Sequence, residues 1–268
     1  DLTTPVKDKF VQDLFAFLPA AFAQNAKIQF CGPTGTDAVE AALKLVRTAT
    51  GRSGVMSFQG GYHGMSQGAL SLMGNLGPKT PIAAVLNNNV QFLPYPYEYR
   101  CPFGIGGHQS VLTNLRYLEN LLNDPEGGVP LPAAIIVEAL QGEGGVIPAD
   151  LDWLRGLRRI TQSKGIALII DEIQSGFGRT GQRFAFEAAG IVPDVVVLSK
   201  AIGGGLPLAV MMYQQHLDIW QPGAHAGTFR GNQMAMAAGS AVIEYLTVEN
   251  IPAHAAKMGE RLSEHLRA

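Results

Sequence analysis

The stretch 195–200, Val-Val-Val-Leu-Ser-Lys, puts a lysine at the end of an apolar run, and three glycines follow at 203–205. Lysine is among the side chains least often enclosed in a protein, and an uncompensated ammonium is costly there. Lys200 therefore either faces water at a sheet edge or points into a pocket that uses its amine. Carboxylates close two other apolar runs. Asp171 and Glu172 follow Ile166–Ile170, and Glu138 follows Ala133–Val137. A carboxylate at the end of a buried strand needs a positive partner to stay ionised. Its alternative role is to cap a helix or sit in a surface turn.

Together, Lys200 and Asp171 suit the chemistry of pyridoxal phosphate. A lysine amine forms a Schiff base with the aldehyde, and an acid keeps the ring nitrogen protonated so that the ring accepts electrons. Main-chain amides at a helix start hold the phosphate. A seat of that kind lies in "CGPTGTDAVEAALK", where Gly35 and Thr36 offer amides and the Thr36 hydroxyl can add a bond. Val39 stands three residues after Thr36, so no capping box built on Thr36 competes. No Gly-Lys-[Ser/Thr] follows, which excludes a nucleotide P-loop. In "FQGGYHG" (58–64), Tyr62 and His63 sit in a glycine turn after a strand, where an aromatic can stack on a planar ring or simply pack over the loop. The segment "GFGRTG" (176–181) spells a dinucleotide fingerprint, but "DEIQS" separates it from its strand and no long helix pattern follows. The six histidines are scattered without a zinc-binding pair, so no metal site is expected.

These residues need a rigid frame, and the rest of the sequence describes one. The chain has 268 residues, 47% hydrophobic and 16% charged, enough for a large buried core. A net charge of −2 gives no field that would favour nucleic acid or anionic membranes. Cys31 and Cys101 are too far apart for a disulfide framework or a metal knuckle, and read as free thiols of a reducing compartment. No apolar run approaches membrane-span length and no signal segment opens the chain, so a cytoplasmic protein is expected. The first residue is not methionine and the last lie within a helical pattern, so both ends look cut.

Short apolar runs alternate with helical patterns. Strands are expected at 27–31, 54–58, 133–140, 166–173, 194–200 and 206–213. Val39, Ala42, Leu43 and Val46 form one helix face, as do Leu154, Leu157 and Ile160 in a helix that Gly165 terminates. Continuous apolar strands between helices predict an α/β fold with a mostly parallel central sheet and helices on both faces. Ligands in such sheets bind beyond the carboxyl ends of the strands, where Glu138, Asp171 and Lys200 are expected.

In this order, "GPTGTDAVEAALKLVR", "FQGGYHG", "EALQGEGG", "IIDEIQSGFGRTG", "PDVVVLSKAIGGGLPL" and "GTFRGNQ" resemble the class III pyridoxal-phosphate aminotransferases of fold type I. The resemblance covers essentially the whole chain. Within that family, "YPYEYRCPFG" and "NLLNDPEGG" are most similar to members acting on diaminobutyrate and 2-oxoglutarate. The resemblance implies Lys200 as the Schiff-base lysine, Asp171 on the pyridinium nitrogen and Gln174 on the ring hydroxyl. It also implies Gly35 and Thr36 at the phosphate, Tyr62 stacked on the ring, and Glu143 as a gate that releases an arginine for 2-oxoglutarate. Thr228 would reach the phosphate of a neighbouring subunit, so a homodimer with shared sites is implied. Residues 1–268 would be the cofactor-binding large domain, without the family's N-terminal segment and C-terminal small domain, which carries that arginine. Other fold-type I activities, an aminomutase or a decarboxylase, would use the same lysine and aspartate. A folded chain that binds cofactor without catalysis is a third alternative.

Overall fold

A computed structural model describes residues 3–267. The chain begins with helices α1 (Pro5–Phe17) and α2 (Ala20–Ala23), then runs β1 (Ala26–Phe30), α3 (Gly35–Thr50), β2 (Val55–Phe58) and the short α4 (Gln67–Ser71). It continues through β3 (Val90–Leu93), α5 (His108–Asn123), β4 (Ala134–Val137) and the small hairpin β5 (Leu140–Gln141) with β6 (Ile147–Pro148). Helix α6 (Leu151–Ser163), β7 (Ala167–Asp171), β8 (Val195–Leu198) and β9 (Val210–Gln214) lead to α7 (Gln233–Val248) and α8 (Ile251–Arg267).

Seven strands form one sheet in the order β1-β9-β8-β7-β4-β2-β3. β9 runs antiparallel to both β1 and β8, and the β8-β7-β4-β2-β3 pairings are all parallel. The strands other than β9 therefore end at one edge. Alternation along each strand divides the core in two. Ile135, Val137, Leu168, Ile170, Val196 and Leu198 join the cluster of α1, α5, α6 and α7. Ala134, Ile136, Ala167, Ile169, Val195 and Val197 join the cluster built on α3. Every residue of β4, β7 and β8 is buried, which explains why these strands read as unbroken apolar runs.

The helix expected from Val39, Ala42, Leu43 and Val46 is α3, and all four residues are buried on its inner side. Its cap differs from the expectation. Thr34 is the N-cap, and the Asp37 carboxylate accepts from the Thr34 amide at 3.0 Å and the Thr34 hydroxyl at 2.8 Å. A cap built on Thr34 and Asp37 thus stands two residues before the position considered, which leaves Gly35 and Thr36 as first-turn amides. Gly165, expected to end α6, follows the cap Lys164 with a φ of +58°. The "GFGRTG" segment forms a turn, and a β-carbon on Gly178 or Gly181 would meet Pro252 or Ala256 of α8. Its glycines serve packing and turn geometry. Among the described residues, no group of His, Cys, Asp and Glu could hold a metal, and no helix is long and apolar enough to cross a membrane.

Candidate active site

The shared strand edge sets out the site. In the register of β7 and β8, Asp171 lies opposite Val197, so Asp171 and Lys200 leave the tips of neighbouring strands. β4 flanks β7 on the other side, with Val137 opposite Ile170, which brings Glu138 beside Asp171. β2 flanks β4 and delivers the Tyr62–Gly64 turn, while β1 leads into the first turn of α3. The result is a cavity of about 320 Å³ lined by Gly35, Thr36, Tyr62, Asp171, Gln174 and Lys200, together with Thr34, His63, Gly64, Met65, Glu138 and Ile173.

Lys200 is exposed in this chain rather than enclosed, because β8 ends at Leu198 and the lysine opens a 3-10 turn beyond it. Its amine donates to Gln174 Oε1. Its φ of +54° is the left-handed region, an uncommon and strained conformation for a side chain of this kind. From this turn at the strand tip the lysine lines the cavity.

Asp171 makes two kinds of contact. Oδ1 accepts from the Ile173 amide at 3.0 Å, which is local turn chemistry, and Oδ2 meets His63 Nδ1 at 2.8 Å. Asp171 and His63 are both buried. A carboxylate only accepts, so the proton of this pair sits on Nδ1. His63 was legible only as part of a glycine turn. Its pairing spans 108 positions and leaves no local signal.

Glu138, noted in the sequence only for its position, is also buried. Its Oε1 accepts from the Tyr62 amide at 2.9 Å and its Oε2 from the Gly142 amide at 3.1 Å. It thereby clamps the Tyr62 turn to the β5–β6 hairpin. Burial raises its pKa, the nearby His63 opposes the shift and Asp171 adds to it. Tyr95 donates to the Glu138 carbonyl at 2.9 Å and holds the strand end from behind.

Two of the expected residues lie elsewhere. Glu143 is exposed on the hairpin and does not line this cavity. Thr228 is exposed and lines a different surface groove with Lys7, His225 and Arg230.

The chemistry of the lining suits a planar anionic aldehyde. An amine and a carboxylate come from adjacent strands, an aromatic and an amide side chain stand beside them, and helical first-turn amides offer an anion seat.

Residues 4–268 match the family model described as aminotransferase class-III. A diaminobutyrate–2-oxoglutarate aminotransferase of Rhizobium meliloti (strain 1021) is 62% identical over 99% of this chain and 56% of its own length. The protein of the same description from Haemophilus influenzae (strain ATCC 51907 / DSM 11121 / KW20 / Rd) is 52% identical over 100% of this chain and 58% of its own length. The chain thus spans a little over half the length of these curated relatives. Among solved structures, an amine transaminase from an uncultivated Pseudomonas species in its PLP-bound form is 30% identical with a TM-score of 0.85, over 98% of this chain and 62% of that one. A taurine:2-oxoglutarate aminotransferase from Bifidobacterium kashiwanohense, in complex with PLP and glutamate, is 25% identical with a TM-score of 0.88, over 99% of this chain and 60% of that one.

Proposed function

Because this chain belongs to the class-III aminotransferase family, we propose that it is the cofactor-binding large domain of a pyridoxal-phosphate-dependent aminotransferase. The reaction proposed moves the terminal amine of 2,4-diaminobutyrate to 2-oxoglutarate. The observation that carries this reading is the convergence of Lys200, Asp171 and the first turn of α3 on one cavity. The choice of donor and acceptor rests on the named relatives.

In this reading Lys200 holds the aldehyde, Asp171 the ring nitrogen and Gln174 the ring hydroxyl. Tyr62 covers one ring face, and the amides of Gly35 and Thr36 take the phosphate. When bound, the cofactor supplies an electron sink for the carbon that loses its proton. The chain supplies position and proton movement. Asp171 stays oriented through His63 Nδ1 and the Ile173 amide, so its charge faces the cavity without reorganisation. The Lys200 amine would take a proton from the reacting substrate carbon as base and return it as acid to the carbon on the far side of the transferred nitrogen. Thr228 is assigned to the phosphate of a second copy in a homodimer, and Glu143 to the gate that admits 2-oxoglutarate.

The test is reconstitution of the purified protein with pyridoxal phosphate. A visible absorbance band is expected, lost in Lys200→Ala, with glutamate formed from 2-oxoglutarate only when diaminobutyrate is present. A folded protein without the band overturns the cofactor reading. A band without glutamate leaves cofactor binding and overturns the transfer reaction.

A further inference from the structure

Behind the phosphate seat, α3 and α4 are joined by a chain of hydrogen bonds whose direction can be worked out. Glu40 Oε1 accepts the amides of Gly68 at 2.8 Å and Ala69 at 3.1 Å, and it is also bonded to Ser66 Oγ. Amides only donate, so this oxygen is an acceptor and the Ser66 proton points to it. Thr36 Oγ1 and Ser66 Oγ are 2.6 Å apart, and with the Ser66 proton spent the Thr36 hydroxyl must be the donor between them. Thr36 Oγ1 in turn accepts the Ser66 amide at 3.2 Å. Every hydroxyl proton in the chain is committed. The two segments approach too closely for side chains at the flanking glycines. A β-carbon on Gly64 would collide with Thr36, and one on Gly68 with Glu40.

We propose that Glu40 and Ser66 hold the Thr36 hydroxyl away from the cofactor phosphate. The main-chain amides of Gly35 and Thr36 carry the phosphate, and Thr36 is a positioning residue that locks α3 to α4. This rests on the cofactor reading above and corrects one part of it, the extra bond expected from the Thr36 hydroxyl. A phosphate oxygen competing for that proton would have to break the bond to Ser66.

The experiment compares dissociation constants for pyridoxal phosphate and for pyridoxal, which lacks the phosphate. The ratio of the pyridoxal constant to the pyridoxal phosphate constant isolates the phosphate contribution from general damage to the site. In Thr36→Val the ratio is expected to stay within threefold of the unmodified protein, as it does in Thr36→Ser. A hydroxyl that donates to the phosphate is a charge-assisted bond, and its loss would lower the ratio roughly tenfold or more. A drop of threefold or more in Thr36→Val, restored in Thr36→Ser, overturns the proposal. Glu40→Ala releases the Ser66 proton and with it the Thr36 proton, so the ratio rises at least threefold. That rise vanishes in the Glu40→Ala/Thr36→Val double variant. Glu40→Gln keeps the accepting oxygen and stays within threefold. A ratio in Glu40→Ala that fails to rise overturns the role given to Glu40. Ser66→Ala removes the oxygen that accepts the Thr36 proton and makes the same demand should Glu40→Ala not fold. If the unmodified protein binds neither aldehyde, the cofactor reading fails first, an outcome distinct from a changed ratio.

Discussion

At the scale of single residues, the site depends on what holds Asp171 more than on Asp171 alone. Its two oxygens are anchored by groups of different origin, a neighbouring amide and an imidazole from the turn after β2. Removing the imidazole leaves a buried carboxylate short of its charged-type partner, which costs about 1–3 kcal/mol. His63→Ala is therefore expected to weaken pyridoxal phosphate binding on the order of tenfold, read by absorbance titration. His63→Asn, whose amide can donate to the same oxygen, should recover part of the loss. Equal affinity in all three proteins would show that Asp171 needs no such support. Lys200 makes the complementary point. Its left-handed backbone costs local energy, and the position is held by β8 before it and the Gly203–Gly205 turn after it.

At the scale of elements, the turn that follows β7 carries Gln174, and a buried acid holds it in place. Glu172 accepts from Ser175 Oγ at 2.7 Å and from the Phe186 amide at 2.9 Å, joining the turn to the aromatic layer of Phe184 and Phe186. Burial pushes its carboxyl from the ordinary 4.5 up to about 7, against the pull of its hydrogen bonds. The folded state therefore binds this proton more tightly than the unfolded one. Between pH of about 4.5 and about 7 the unfolded chain gives up the proton first, so stability falls as pH rises and is level above that window. Glu172→Gln is neutral throughout and can keep both contacts. Relative to the unmodified protein it should gain stability across that interval, up to ~3 kcal/mol, measured as urea midpoints at a series of pH values. A constant difference from pH 4 to 8 would contradict this. The same turn shows what the sequence could reveal. β4, β7 and β8 were legible because strands buried on both faces leave unbroken apolar runs. β3 was not, since Gln91 is exposed and this edge strand carries a mixed pattern. The antiparallel course of β9 left no trace, because its five residues are all buried and read the same in either direction. Helix α7 was hidden similarly, being apolar on most sides, with Met234, Tyr245 and Val248 exposed. Asp171, Lys200 and the Gly35–Thr36 turn could be found from strand ends and glycines. His63, Ser66 and Glu40 could not, because their partners are near in space and distant in sequence.

At the scale of the whole molecule, the sheet is covered on both faces while the segment before α7 and the first turn of that helix leave apolar side chains in water. Phe229 is 93% exposed, Met234 69% and Ile219 56%, and Thr228 sits among them. Apolar groups left this open suit a surface that other protein atoms cover. The homodimer proposed above uses that segment, because it would bury these side chains and bring Thr228 to the second cavity. Two measurements bear on it together. Sedimentation velocity at micromolar concentration should give twice the chain mass, and Phe229→Asp should return it to one. In the dimer, Thr228→Ala should lower the pyridoxal phosphate to pyridoxal affinity ratio about tenfold, the effect of losing one bond to a charged group. In the Phe229→Asp monomer the same Thr228→Ala change should leave that ratio unaltered, since no second cavity is within reach. A Thr228 effect of equal size in monomer and dimer would place this hydroxyl at its own chain's phosphate and remove the reason for a shared site.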